Sequence, residues 1–198
     1  MIAAIMLAAG AAIRMGEAKQ LLRYKGSTLI GHALEQALAA GFDRIAVVLG
    51  ARAAEIKEAI AGLRVEVVDN DAWETGMGSS LVRGVRYLLG SGCDPDYLAI
   101  LLADQPLVRA EQLDAMRRVA EESKAPIIAA RYGGTLGVPA FFDRTLVAEL
   151  EGLAPTAGAR HLLKQTDREI ISFDLPEAAL DIDTPEDFRS LGPGSIRA

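Results

Sequence analysis

Short apolar runs alternate along this chain with longer segments in which apolar residues recur at helical spacing. Branched side chains, typical of buried strands, fill the runs at 2–7, 44–49, 65–68, 97–102 and 126–130. The spacing of amphipathic helices extends over residues 28–40, 51–61 and 79–89. This order of elements predicts right-handed crossover units, a mainly parallel sheet and therefore a three-layer α/β/α fold.

The pattern loosens after residue 131. A helix-like segment covers residues 142–153, and a strand-like one covers residues 168–175. We interpret this part as an inserted ribbon and returning strands that complete one domain over residues 1–198. The last residues, 192–198, are predicted to form a flexible, frayed tail.

A glycine-rich stretch, RYGGTLGVPAFF, opens this second part of the chain. Gly133, Gly134 and Gly137 stand close together beside Pro139 and permit either a flexible segment or a tight turn. Two interpretations stay open, namely a loop over a second substrate and an ordinary hairpin turn.

Composition limits the kinds of partner. The formal net charge of −6 and the isoelectric point near 5.0 argue against general attraction to nucleic acid or to an anionic membrane, so a small partner is expected. Cys93 is the only cysteine, which excludes an internal disulfide and suits a reducing cytoplasm. The apolar opening is too short for a transmembrane span and is better read as a core strand.

The segment after this first strand has the layout of a phosphate-binding turn. Ala8, Ala9 and Gly10 let backbone N–H groups approach an anion, and Arg14 and Lys19 would neutralise it. Neither G-x-x-x-x-G-K-[ST] nor G-x-G-x-x-G is present, so neither a P-loop nor a dinucleotide-binding motif is indicated. A buried strand followed by a glycine turn is the alternative.

Carboxylates follow two extended segments. Asp104 ends the apolar run YLAILLAD, where an unpaired charge is costly, and Mg²⁺ is the partner we expect. Alternation places Asp181 and Asp183 on one face, which suggests a second metal ligand. The alternative role for Asp104 is a cap or a salt bridge. The residues that follow Asp183, TPED, match a helix start with Thr184 as N-cap.

A second glycine-containing segment, NDAWETGMGSSL, opens a predicted helix. Gly76, Gly78, Ser79 and Ser80 offer N–H groups and hydroxyls that would hold a base or a ribose, and simple N-capping by a serine is the alternative. In an open parallel sheet the loops at 8–19, 69–80 and 104–106 should share one rim. Neither histidine has the neighbours of a catalytic triad or a zinc site.

Six segments in this order resemble the nucleotidyltransferases that complete the molybdenum cofactor. They are LAAGAAIRMGEAKQLL, NDAWETGMGSSL, LLADQP, GVPAFF, the GAR of PTAGARHLL, and DIDTPEDF. The resemblance covers nearly the whole chain and implies the Rossmann-like fold of nucleotide-diphospho-sugar transferases. The opening LAAG is similar to the cytidylyl branch, whereas LAGG is usual in the guanylyl branch, so Ala9 favours CTP.

The resemblance also implies roles for individual residues. Nucleotide-binding positions would be Leu7, Ala8, Ala9, Gly10, Arg14, Lys19, Gly76, Ser80 and Asp104. Catalysis would depend on Arg14, Lys19 and Asp104, and Asp104 with Asp183 would bind Mg²⁺. The expected reaction is attack of the terminal phosphate of molybdopterin, a phosphorylated pterin, on the α-phosphorus of CTP. A transient contact with a molybdoenzyme or its chaperone would follow.

The chain departs from the family pattern twice. Ala12 stands where serine is usual, and the segment 155–160, PTAGAR, lacks the acid of the usual GDxGAR. Other functions therefore stay open. They are a guanylyltransferase, a transferase acting on a sugar or alcohol phosphate, and a nucleotide-binding regulator without turnover.

Overall fold

A computed structural model describes residues 1–11 and 18–192, and the backbone of residues 195–196. Its strands are β1 (Ile2–Leu7), β2 (Arg23–Tyr24), β3 (Ser27–Thr28), β4 (Arg44–Leu49), β5 (Glu66–Asp69), β6 (Tyr97–Leu102), β7 (Ile127–Tyr132), β8 (Thr135–Asp143), β9 (Ile170–Asp174) and β10 (Ser195–Ile196). Its α-helices are α1 (Leu29–Ala39), α2 (Ala53–Ala59), α3 (Met77–Gly90), α4 (Ala110–Ser123), α5 (Val147–Glu151), α6 (Ala159–Gln165) and α7 (Pro185–Ser190).

A seven-stranded sheet in the order β5-β4-β1-β6-β8-β7-β9 forms the middle layer. All of its strands run in one direction except β8, which is antiparallel to both of its neighbours. The predicted mainly parallel sheet is thus confirmed. A small second sheet joins β10, β2 and β3, so the backbone of residues 195–196, within the predicted tail, is paired.

Side chains of β1 show why helices cover both faces of the large sheet. Ala4 and Met6 belong to an apolar cluster with residues of α1, α2 and α4, whereas Ile5 and Leu7 belong to one with α3, α5 and α6. The alternation of a strand sends successive side chains to opposite faces, and all six residues of β1 are buried. This arrangement is the predicted three-layer α/β/α architecture.

The predicted elements match the observed ones to within a few residues. The five predicted strands are β1, β4, β5, β6 and β7, and the three located helices are α1, α2 and α3. The start of α3 differs from the prediction. The helix begins at Met77 after the N-cap Gly76, and no side chain caps it. Neither Ser79 nor Ser80 therefore has a capping role. The predicted Thr184 cap of α7 is confirmed, with a capping box to Asp187.

The strands β7 and β8 form a hairpin. Gly133 and Gly134 make its turn with φ of 55° and 72°, the left-handed region that glycine reaches without strain. The glycine-rich stretch is therefore a hairpin turn. Because β8 is antiparallel to β6, with Ile100 opposite Ala140, this turn lies at the edge of the sheet where β6 ends. Within the described part of the chain, no helix has the length and apolarity to cross a membrane.

Candidate functional site

In the turn after β1, the carbonyl groups of Ala8, Ala9 and Gly10 are hydrogen-bonded to other parts of the protein. The side-chain amide of Gln20 donates to the carbonyl oxygens of Ala8 at 3.2 Å and Gly10 at 2.7 Å. Between them, the carbonyl of Ala9 accepts from the N–H of Ala51 at 3.1 Å. Gln20 is only 4% exposed, so these are interior contacts that fix the direction of each carbonyl.

The N–H groups of the same turn point elsewhere. Those of Ala9, Gly10 and Ala11 donate to no acceptor in residues 1–11 or 18–192. Successive amides whose carbonyls are hydrogen-bonded elsewhere can donate to an anion. Gly10 also has open space where a side chain would stand. The geometry of residues 8–11 thus has the polarity expected of a phosphate-binding turn, while Arg14 lies outside the described residues.

Lys19 follows this turn on a short 3-10 helix, Lys19–Leu21. Its Nζ lies 2.6 Å from Oδ2 of Asp104, in the loop after β6, and 2.9 Å from Oδ1 of Asp183, which precedes the N-cap of α7. Burial opposes the charge of Lys19, but the two carboxylates outweigh burial and raise the pKa of its side chain. Three residues that are far apart in sequence therefore form one charged cluster.

The carboxylates of this cluster have the chemistry of a divalent cation site. Oδ1 of Asp104 is buried and has no hydrogen-bond partner among the described residues. A buried carboxylate oxygen without a partner is costly, and a cation would satisfy it. In the same part of the chain no three His, Cys, Asp or Glu side chains could hold a metal ion by themselves. Mg²⁺ commonly binds one or two carboxylates together with substrate phosphates, so this donor set fits it.

A first cavity of about 360 Å³ opens over the turn and the cluster. The sequence-predicted residues that line it are Leu7, Ala8, Ala9, Gly10, Lys19, Gly76, Ser80, Asp104 and Asp183. The loops predicted to share one rim therefore meet at one cavity. Trp73 lines it too and packs against Gly50, where an added Cβ would lie 2.5 Å from the tryptophan side chain.

Polar residues that sequence reasoning did not find support this cavity. Asn70 directly follows β5, and its Nδ2 donates to the hydroxyls of Ser79 at 2.9 Å and Ser80 at 3.0 Å. Asn70 and Ser80 are both buried. Gln20, described above, is the other such residue. The position of Asn70 at the end of a strand is a signal that a closer reading of the sequence could have used.

A second cavity of about 290 Å³ adjoins the first, and the two share Leu7, Met77 and Leu102. Its polar lining includes Tyr132, Arg160 and Asp181. Nη2 of Arg160 donates to the hydroxyl of Tyr132 at 3.2 Å. The pKa of Asp181 is raised by burial and by the nearby negative charge of Asp104.

The second cavity corrects one expectation for the carboxylates. Asp181 and Asp183 were predicted to share a face, but Asp181 lines the second cavity and Asp183 the first. The reason is that residues 180–183 form no regular strand, so strict alternation does not apply to them. Two cavities thus meet where Asp104 and the end of β6 lie.

Curated relatives share most of the length of this chain. It is 33% identical over 195 residues to the purine catabolism protein PucB of Bacillus subtilis, covering 93% of this chain and 92% of the relative. It is 29% identical to the molybdenum cofactor guanylyltransferase of Syntrophotalea carbinolica, covering 96% and 92%. It is 24% identical to the molybdenum cofactor cytidylyltransferase of Escherichia coli, covering 93% and 92%.

Solved structures with the same fold also match nearly the whole chain. Rv0371c from Mycobacterium tuberculosis superposes with a TM-score of 0.79 at 30% identity and 96% coverage of both chains. A complex of Rv0371c with manganese superposes with a TM-score of 0.78 at 29% identity, covering 96% of this chain and 97% of that one. The family described as the MobA-like NTP transferase domain matches residues 4–170. With this fold, this site and these matches, the chain belongs to the MobA-like NTP transferase family of nucleotidyltransferases.

Proposed function

We propose that this protein transfers CMP from CTP to the terminal phosphate of molybdopterin, releases pyrophosphate and works as one nucleotidyltransferase domain over residues 1–198. The observation that carries the proposal is the position of the Lys19, Asp104 and Asp183 cluster. It lies in one cavity beside a turn whose amides at residues 9–11 have no acceptor in the described part of the chain, and a second cavity adjoins the first. A transferase needs such a pair of cavities because two substrates must meet at the reacting phosphorus.

The first cavity would hold the nucleoside triphosphate. The amides of residues 9–11 would bind phosphate oxygens, and Arg14 and Lys19 would neutralise their charge. Lys19 is paired with two carboxylates in this structure, so it would exchange these partners for the phosphates when a nucleotide binds. Leu7, Gly76 and Ser80 would contact the base or the ribose.

Asp104 and Asp183 would hold Mg²⁺. When bound, this ion would neutralise negative charge on the phosphates of the nucleotide. The fit rests on the unpartnered Oδ1 of Asp104 and on the hard oxygen donors of both side chains. The manganese complex of Rv0371c agrees with a divalent metal in a protein of this fold.

The reaction itself asks for little covalent chemistry from the protein. An oxygen of the acceptor phosphate forms a bond to the α-phosphorus, and the bond from that phosphorus to the bridging oxygen of pyrophosphate breaks, with the electron pair leaving on pyrophosphate. The contribution of the chain is to align the two substrates and to stabilise the charge of the transition state. Arg14, Lys19 and Asp104 are the residues to which we assign this work.

The second cavity would hold the pterin acceptor. Its walls combine apolar side chains with Tyr132, Arg160 and Asp181, which suits a planar ring with polar edges. Two relatives are named for transfer to the molybdenum cofactor, which supports an acceptor of this class. Downstream, we propose a transient contact with a molybdoenzyme or its chaperone. The lone, buried Cys93 is compatible with a reducing compartment, and we propose the cytoplasm.

The preference for CTP rests on Ala9. Ala9 lines the first cavity. The guanylyl branch usually has glycine at this position, and the methyl group of Ala9 leaves less room for a purine base. A single incubation tests base, acceptor and activity together. The protein is incubated with Mg²⁺, with each nucleoside triphosphate in turn, and with molybdopterin that does or does not carry molybdenum. Mass spectrometry then identifies the product by its mass.

We expect a cytidine dinucleotide of molybdopterin together with pyrophosphate. A guanosine product would replace the cytidylyl assignment by the guanylyl one. Nucleotide binding without any product, in a preparation that binds CTP and Mg²⁺, would favour a non-catalytic regulator. Turnover only with a sugar or alcohol phosphate would exclude the pterin as the acceptor.

A further inference from the structure

We propose that Gln20 is a positioning residue that sets the polarity of the phosphate-binding turn, and through it the affinity for the triphosphate. The inference rests on the proposed function, because it assumes that residues 8–11 hold the phosphates. It goes beyond it by assigning a role to the buried side-chain amide of Gln20. That amide would control which backbone groups of the turn face the ligand.

The amide group of Gln20 matches its surroundings atom by atom. Its Nε2 carries two hydrogens, and the carbonyls of Ala8 and Gly10 take one each, at 3.2 and 2.7 Å. The opposite orientation of the amide would place its oxygen against two carbonyl oxygens, so chemistry excludes it. A glutamine at this position can therefore be a double donor, and a glutamate or a methionine cannot.

The consequence for the turn follows from the alternation of its groups. A carbonyl oxygen repels a phosphate, whereas an N–H group attracts it, and a short turn can present either one by rotating its peptide planes. Gln20 pins two peptide planes and Ala51 pins the one between them. The N–H groups of residues 9–11 are then left for an anion without any rearrangement on binding.

The position of Gln20 in the chain adds a second effect. Gln20 and Lys19 are neighbours on the short helix Lys19–Leu21, so the contacts of Gln20 also fix this helix relative to the turn. Lys19 reaches the carboxylates from the same helix. Gln20 thus joins the turn to the charged cluster, and Lys19 can change partners by moving its side chain alone.

Substitution of Gln20 by methionine tests the inference, since it keeps length and removes both donors. We expect Gln20→Met to weaken binding of inorganic triphosphate and of CTP about tenfold or more, the effect of losing two hydrogen bonds that direct the turn. Binding of the phosphate-free nucleoside cytidine should change less than about threefold. A merely structural role would weaken the nucleoside and the triphosphate alike.

Gln36 provides the matched control. Its Oε1 accepts from the N–H of Ala110 at 3.1 Å, which joins α1 to α4 away from the first cavity. Gln36→Met should leave triphosphate affinity unchanged. Thermal unfolding of all variants reports the folded fraction. If Gln20→Met does not fold, Gln20→Asn keeps an amide but shortens the side chain by one methylene, and it should also weaken triphosphate binding.

The outcomes separate this inference from the proposed function. Equal triphosphate affinity of wild type and of a folded Gln20 variant would overturn the role of Gln20 and leave the proposed function intact. Failure of the wild-type protein to bind inorganic triphosphate or CTP would overturn both. A parallel loss of cytidine and triphosphate binding would reduce Gln20 to a structural residue.

Discussion

Lys19 and Asp104 are joined by an ion pair of 2.6 Å between residues separated by 85 positions in the chain. Both side chains are mostly buried, with 13% and 21% of their surface exposed. The lysine therefore stands where the proposed Mg²⁺ would bind, and it already neutralises part of the negative charge there. A cation that enters this site has to compete with Lys19 unless a nucleotide draws the lysine away.

Removal of this competition should tighten metal binding. We expect Lys19→Met to bind Mn²⁺ in the absence of nucleotide about tenfold more tightly than the wild type, equivalent to ~1.4 kcal/mol. The same variant should lose about 10²–10³-fold in turnover, since the charge contact to the phosphates is gone. Titration calorimetry with Mn²⁺ and a pyrophosphate-release assay measure the two effects.

Lys57 serves as the control for this variant. It pairs with Asp69 at 2.7 Å on the surface, so Lys57→Met removes a similar ion pair away from the cluster. It should leave both Mn²⁺ affinity and turnover unchanged. Equal Mn²⁺ affinity of Lys19→Met and the wild type would rule out competition between the lysine and the metal.

Asp104 should be required for the metal itself. Asp104→Asn keeps the size of the side chain and removes its charge, so we expect turnover to fall at least about 10²-fold while the circular dichroism spectrum stays unchanged. Combined with Lys19→Met, it should abolish the gain in Mn²⁺ affinity. Asp94→Asn changes an exposed carboxylate paired with Arg144 and should have no effect. Retention of the same Mg²⁺ dependence in Asp104→Asn would exclude Asp104 as a ligand.

Ala9 should contribute to the choice of base. Ala9→Gly removes a methyl group from the lining of the first cavity, so we expect the ratio of kcat/KM for GTP to that for CTP to rise about tenfold. The ratio is measured with both nucleotides in one preparation, which cancels any difference in the active fraction. An unchanged ratio would show that Ala9 does not contribute to the choice between CTP and GTP.

His32 should make stability depend on pH. Burial in the fold, with the nearby positive charge of Lys25, lowers the pKa of His32 below its ordinary value. The unfolded chain then takes up a proton first as the pH falls. The stabilisation is therefore fully present above about pH 6.5, the ordinary pKa, and declines as the pH falls toward the lowered pKa of the folded state.

Urea denaturation at about pH 7.5 and about pH 5.5 measures this dependence. His32→Gln should reduce the loss of unfolding free energy between the two conditions. The exposed His161 gives the matched variant, and His161→Gln should keep the dependence of the wild type. If His32→Gln lost as much unfolding free energy between the two pH values as the wild type, the pH dependence would belong to other groups.

Most of the layered fold could be predicted because burial leaves a periodic trace in the sequence. The strand β1 is buried on both faces and reads as a continuous apolar run, and the stripe of α1 reads at helical spacing. The reversed direction of β8 leaves no such trace, since a buried strand has the same composition in either direction. Only the glycine pair at residues 133–134 hinted at it.

Some residues of the candidate site could likewise be predicted from the sequence, and others could not. Asp104 was recognisable because charge beside an apolar run is unusual and needs a partner, and Lys19 because it follows small residues with the layout of a phosphate-binding turn. Gln20 was not, because a glutamine in a loop is normally exposed and its burial depends on where the carbonyls of Ala8 and Gly10 point. Asn70 escaped notice because its burial depends in the same way on its partners, the hydroxyls of Ser79 and Ser80, which were considered for contacts with a base or a ribose or for capping.

The reversed strand β8 has a consequence for how one wall of the second cavity can vary. Two neighbouring parallel strands are joined by a complete crossover, usually with its helix. Here the direct return from β7 to β8 brings a two-residue turn to the edge of the sheet where β6 ends, with Tyr132 and Val138 from its two arms in the lining of the second cavity. Insertions at Gly133 and Gly134 would therefore lengthen one wall of the second cavity without moving the turn after β1 or the cluster of Lys19, Asp104 and Asp183.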